Sequence, residues 1–279
     1  MKRTKKILKD VGLVLVAVLF LSPVYIMVVN SFKTRQELYD NVLALPESFT
    51  LEYYIGAMEK MNFMSALGNS LFITIVSVIF IVILASMTSW MLARTDNKLS
   101  KIIFMTFIAT MLIPFQTIMM PLIQFMNSIM STLGIPMLNT RGGLIFMHIG
   151  FNSSLAVFLY HGFVKSTIPI TLEEAATIDG CTKFGLFWRI VFPMLKPITV
   201  TVIILNVIAI WNDFLLPSLV LTDKALRTIP LSTFYFFGEF TIQWNMAMAG
   251  LTLTVIPVVI FYIFAQKHII KGIGEGAVK

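Results

Sequence analysis

The chain has 279 residues, of which 57% are hydrophobic and only 13% charged, with a net charge of +7 and a mean hydropathy of +0.87. A water-soluble domain carries about 25% charged residues, so the composition excludes an ordinary soluble enzyme and points to helices that face lipid. The single cysteine, Cys181, excludes an intramolecular disulfide framework.

Six apolar runs are long enough to cross a bilayer, which takes about 20 residues of helix. In lipid such runs must be helical, because their backbone groups have no other partners. The first is 11–29; it follows a Lys-rich start, but no Ala-x-Ala cleavage site comes after it, so it reads as an uncleaved anchor. The second is 69–93. The third is 102–125, with Pro114 and Pro121 inside it. The fourth is 143–163, the fifth 198–216 and the sixth 247–265. The expectation is an all-α membrane protein of six transmembrane helices. Between the first two runs lies a long polar connection in which Thr50-Leu51-Glu52 opens a short amphipathic surface helix. The stretch 133–143 reads as a loop, and the connection 217–245 carries Leu219, Tyr235, Phe236, Phe237 and Trp244. Aromatics of this kind form either an interfacial belt or a partner-contacting loop.

Orientation follows from where Lys and Arg fall. Of the 21 basic residues, only Lys33, Arg35, Lys60, Arg141, Lys224 and Arg227 lie on one set of connections. The rest lie on the other set, which holds both termini and the connection 166–193. That bias places both termini in the cytoplasm. It also accounts for the positive charge as topology, with no nucleic-acid partner implied.

The connection 166–193 is polar and capped inside an oily chain. Thr171 and Glu174 are spaced as a capping box, Gly180 stands where a left-handed C-terminal cap belongs, and Thr182 opens a second short helix that Pro193 is expected to stop. Glu173 and Glu174 occupy the first turn, where the helix dipole favours negative charge. The pattern is Glu174-Ala175-Ala176, three residues, Gly180, nine residues, Ile190, one residue, Phe192, Pro193. It resembles the "EAA" loop of permease subunits in bacterial ABC importers, with Phe192 where the family has Leu. Asp179-Gly180, the Trp211-Asn212-Asp213-Phe214 segment and the tail 272–279 make the chain similar to the shorter, six-span permease of maltose-type carbohydrate importers.

That resemblance implies a type I permease fold in the bacterial cell membrane. It implies a coupling helix between spans four and five, in which Glu173, Glu174, Ala175, Ala176, Asp179 and Gly180 dock on a cytoplasmic ATPase. The implied partners are a second, longer permease, two ATP-binding cassette subunits that carry ATP and Mg, and an extracellular sugar-binding protein. The outer connection, with Leu219, Tyr235, Phe236, Phe237 and Trp244, would contact that binding protein. The tail 267–279 would run along the ATPase dimer. The chain itself would bind no cofactor.

Polar groups inside spans mark transport-path candidates: Gln116, Asn152, Asn206, Trp211, Asn212 and Asp213. The competing reading of Asn152 and Asn206 is helix–helix hydrogen bonding. No catalytic residue is expected. The sequence has no His-Glu-x-x-His, no Gly-x-Ser-x-Gly, no cluster of metal ligands in a span and no P-loop. The alternative is an ion-coupled secondary transporter, a class that often breaks matched spans in two halves; only the third span here carries two prolines, and no other span matches it.

Overall fold

The computed structural model describes residues 2–237 and 243–277, with the side chains of 2–5, 8, 235 and 267–277 outside the description. The elements described are helical, and they fall into two compact units, one of residues 1–66 and 229–260 and the other of 67–228 and 261–279. The expected tail 267–279 therefore lies outside the described side chains.

In the first unit, helix α1 (Lys2–Asn30) runs through the first apolar stretch. None of residues 9–29 is buried, so an apolar rod is left bare for lipid or another subunit. Past its end, Lys33 is 1% exposed and donates from Nζ to the Asn41 carbonyl at 2.7 Å, while Asn30 Nδ2 donates to the Val42 carbonyl at 2.9 Å. These bonds fold the polar connection back on itself. Within it, α2 (Arg35–Asp40) starts from a complete capping box. The Glu37 N–H donates to Thr34 Oγ1, and the Thr34 N–H donates to Glu37 Oε2 at 2.7 Å. Helix α3 (Glu52–Lys60) is the amphipathic helix expected from Thr50, buried through Ala57.

Helix α4 (Phe63–Arg94) has 32 residues, about 48 Å at 1.5 Å per residue. The run expected as one third span is instead two helices, α5 (Lys98–Met111) and α6 (Phe115–Leu133), bent by 108°. Pro114 is the reason: a proline pushes the residue before it out of helical geometry, and Pro114 itself stands extended (ψ 133°) ahead of α6. Helix α6 ends on Gly134 at φ 69°, a left-handed cap.

Helix α7 (Arg141–Thr167) is the centre of the second unit and buries Leu144, Val157, Tyr160 and Val164 among others. Gly143, in its first turn, is required: a Cβ there would run into the Met137 carbonyl. Polar side chains pin its neighbours. Thr110 of α5 shares a hydrogen bond with Ser154 at 2.7 Å, and Ser89 of α4 donates to the Val157 carbonyl at 2.9 Å. Tyr160 donates to Thr199 at 3.0 Å, on the helix that follows. In a membrane each such bond contributes about 0.6 kcal/mol on average.

After α7 come α8 (Ile170–Ile178), α9 (Lys183–Leu186), a π-turn over Phe187–Val191, α10 (Phe192–Met194) and α11 (Lys196–Trp211). Pro193 does not stop the helix as expected. The π-turn widens the backbone ring just before it, with the Phe192 N–H donating to the Phe187 carbonyl, so the chain passes through Pro193 to Met194 and bends by 77° into α11. The fifth span also ends sooner than expected, at Trp211, and a break at 212–214 precedes α12 (Leu215–Val220). The outer connection is tied by Asn139, left-handed at φ 53°. Its Oδ1 accepts from the N–H groups of Thr222 and Asp223, and its own N–H donates to the Val220 carbonyl at 2.8 Å. Helix α13 (Ile229–Thr233) and α14 (Trp244–Ala277) complete the chain. Among the described residues, four helices are long and apolar enough to cross a membrane, or up to six if each bent pair makes one span.

Candidate functional site

The site is the connection from Ile168 to Phe192. Its first helix, α8, starts from Pro169 with no side-chain cap, so the Thr171–Glu174 capping box is not made. The proline ahead of α8 starts it one residue before Thr171, which moves Thr171 inside the helix.

At the other end the expectation for Gly180 holds. Gly180 stands at φ 82°, its N–H donates to the Thr177 carbonyl, and the Cys181 N–H donates to the Ala176 carbonyl, both at 3.0 Å. That pair of bonds is the Schellman cap, and it satisfies carbonyls that a helix end otherwise leaves open. Thr182 then opens α9, its Oγ1 accepting from the Gly185 N–H at 3.2 Å. The turn beyond carries an aromatic cluster: the Trp188 ring lies 5.1 Å from Phe187 and 5.0 Å from Phe192.

The two neighbouring glutamates have opposite surroundings. Glu174 is exposed, as are Ala175, Asp179 and Gly180. Ile178 beside them is 86% exposed, and Leu172 and Phe184 are also bare. Glu173 is 7% exposed. Its Oε1 accepts from Arg94 Nη2 at 2.8 Å and Nε at 3.0 Å, and its Oε2 accepts from the Trp90 indole N–H at 3.0 Å. Arg94 Nη2 also donates to the Ile168 carbonyl at 2.8 Å. Glu173 is therefore spent inside the chain and has no carboxylate oxygen free for a partner, contrary to the expectation. Ala176 is likewise buried. The outward face is Glu174, Ala175, Ile178, Asp179 and Gly180. An open cleft of about 780 Å³ between the end of α4 and this loop is lined by Met91, Arg94, Thr177 and Cys181 among others.

Sequence reasoning missed Trp90 and Arg94. A usable signal existed: Trp90 and Arg94 stand at i and i+4 on the last turns of a long helix, so they share one face.

The transport-path candidates separate. Asn206 is buried and donates to its own helix at the Val202 carbonyl, 2.8 Å away, and Trp211 is buried too. Gln116 and Asn212 are exposed, the latter donating to the Ile208 carbonyl. Asn152 donates to the His148 carbonyl at 2.9 Å. Asp213 caps α12 through Oδ1 and the Leu216 N–H, while its Oδ2 lies 3.9 Å from His148 Nδ1. Asp213 is thus brought beside His148, and Asn152 stands one turn along α7 from that histidine. Asn206 and Trp211 are packed inside the chain. Of the outer-contact candidates, Leu219 and Trp244 are half-buried and Phe237 is exposed. Phe236 is 2% exposed, wedged on Gly250 and Met61, so it is a core residue and presents no contact surface. The side chain of Tyr235 lies outside the description.

A family model described as "Binding-protein-dependent transport system inner membrane component" matches residues 85–275. The chain is 48% identical, over 99% of its own length and 97% of the other, to a probable starch degradation products transport system permease protein of Thermoanaerobacterium thermosulfurigenes. It is 34% identical to a melibiose/raffinose/stachyose import permease protein of Bacillus subtilis, over 92% of this chain and 91% of that one. Its fold is similar to a chain of a bacterial ABC transporter for the import of the acidic polysaccharide alginate, with TM-score 0.78, 20% identity, and coverage of 95% and 96%. With its helical spans and its capped connection between α7 and α11, the chain belongs to the family of inner membrane components of binding-protein-dependent transport systems.

Proposed function

We propose that this chain is the shorter of two permease subunits in an ATP-driven importer of short oligosaccharides, working by alternating access. The observation that carries the reading is the outward face of α8. It presents two exposed carboxylates, Glu174 and Asp179, with small Ala175 and bare Ile178 on a loop whose backbone is internally capped. Small and acidic groups let a helix sit closely in a cleft and form charge-assisted hydrogen bonds there. Two ATP-binding cassette subunits would supply that cleft, together with ATP and Mg, since this sequence has no P-loop. Closure of the ATPases on ATP would then pull α8 and rock the spans. The positive-inside bias supports a cytoplasmic loop and cytoplasmic termini.

The names of the two relatives speak of starch degradation products and of melibiose, raffinose and stachyose. Their common chemistry is a short chain of neutral sugars. An extracellular sugar-binding protein would deliver it to the mouth near Asp213. The alternative is ion-coupled transport, a class in which broken spans are common; the chain has two bent pairs, α5 with α6 and Lys183–Met194 with α11, and the energy source separates the two readings.

The test is reconstitution of the complete complex in vesicles. Oligosaccharide with its binding protein should stimulate ATP hydrolysis and accumulate inside, and an ion gradient without ATP should drive nothing. Uptake driven by the gradient alone would overturn the reading.

A further inference from the structure

We propose that Arg94 and Trp90 are positioning residues that clamp the coupling loop to the end of α4, so that α4 moves with the loop as one body. The inference rests on the coupling role proposed above for α8.

The loop is joined by the chain itself to α7 before it and to α11 after it. Helix α4 is joined to it along the chain only through α5, α6 and α7, and 79 residues separate Arg94 from Glu173. A stroke delivered to α8 reaches the end of α4 directly only through non-covalent contacts. The last turns of α4 supply them from one face. Arg94 grips the loop twice: its Nε and Nη2 converge on Glu173 Oε1, and Nη2 also holds the Ile168 carbonyl, where α7 gives way to the loop. Trp90 holds the other carboxylate oxygen with its indole N–H and sets its ring 5.6 Å from Phe187 in the π-turn. One helical position earlier, Ser89 donates to the Val157 carbonyl of α7. Three adjacent parts of the second unit, α7, α8 and the π-turn, are thereby fastened to one helix end.

The chemistry suits a stiff joint. Both carboxylate oxygens of Glu173 are taken by donors, and the guanidinium is a planar fork with little freedom once paired. The carboxylate is buried, so removing one partner leaves a charge uncompensated rather than merely loosening a surface pair. A joint that served only to dock the ATPase would not need Glu173 turned inward; Glu174 already faces out.

The experiment uses the full importer in vesicles, reading sugar accumulated per ATP hydrolysed and recovery of the intact complex. Arg94→Ala should lower the ratio by roughly tenfold or more, since it strips a buried ion pair of its partner. Arg94→Lys should recover part of it, because an ammonium can meet one oxygen but cannot also fork to Ile168. Trp90→Phe keeps an aromatic ring beside Phe187 and removes only the N–H, and it should lower the ratio about threefold or more. This milder variant decides the matter if Arg94→Ala fails to insert. Wild-type ratios in both Arg94→Ala and Trp90→Phe would overturn the clamp, as would a wild-type ratio in Trp90→Phe with Arg94→Ala unrecoverable. Glu174→Lys run in parallel separates the two levels: if it too transports normally, the coupling role of α8 falls; if it alone is impaired, the clamp falls and the coupling role stands.

Discussion

Glu173 and Glu174 are adjacent and chemically identical, yet one is consumed by the chain's own Arg94 and Trp90 while the other faces water. A helix turns about 100° per residue, and that rotation alone assigns their tasks. Glu174→Lys is expected to leave the thermal midpoint nearly where it was, since exposed substitutions move stability by about 0.5 kcal/mol or less. Oligosaccharide uptake by the same variant should fall about tenfold or more, because losing a paired charge at an interface costs about 2–5 kcal/mol. Uptake and thermal melts on one preparation check both halves. Gly180→Val behaves differently. At φ 82° a β-branched residue is strained by about 1–3 kcal/mol, so the cap opens and melting and uptake should fall together.

At the scale of single helices, α2 shows how a short element is held with little core. Its capping box relies on Glu37, whose carboxylate accepts from the Glu47 N–H at 2.9 Å and from the Thr34 N–H at 2.7 Å. The Glu47 N–H first, and then the Thr34 hydroxyl and N–H, hold its pKa below the ordinary carboxylate value. A depressed carboxylate stabilises the folded form above its unfolded pKa and loses that contribution as the pH falls through the folded pKa. Hydrogen exchange over residues 34–47 should therefore stay slow through mildly acidic pH and accelerate only below the usual glutamate range. Thr34→Ala should make it fast at all pH values, at a cost of about 1 kcal/mol.

Local features of this kind were legible in the sequence. The Gly180 cap, the Thr182 start and the helix after Thr50 each depend on a few neighbouring residues. The misses have longer reach. Pro114 and Pro121 lie in one apolar run, but only Pro114 breaks it. Nothing local separates them, because neighbouring helices can repair a proline inside a membrane. The π-turn that carries the chain through Pro193 is a change of register rather than of residue type. The placing of Glu173 needed a partner 79 residues away, and such pairings become visible only once α4 and α8 are laid side by side.

At the scale of the whole chain, the sorting of positive charge is its most economical statement. The orientation proposed from it would put Cys181, the chain's single thiol, on the cytoplasmic face, at the rim of the cleft between α4 and the loop. A membrane-impermeant maleimide should label it in inverted vesicles and leave it untouched in right-side-out ones. Labelling in right-side-out vesicles would reverse the orientation. Bound ATPase subunits should slow the reaction. The bare rod of α1 speaks at the same scale. With none of residues 9–29 buried in its own chain, it has about 20 residues' worth of largely apolar surface to share with lipid or another subunit.

The turn around Gly180 has one more consequence. Ordinarily a helix end sheds bound water when it enters another protein, and its bare carbonyls must be re-hydrogen-bonded there or the entry is costly. Here the amides of Gly180 and Cys181 already occupy two of those carbonyls, on Thr177 and Ala176. The protrusion brings its own solvation with it, so a receiving socket can be dry and can read only side chains.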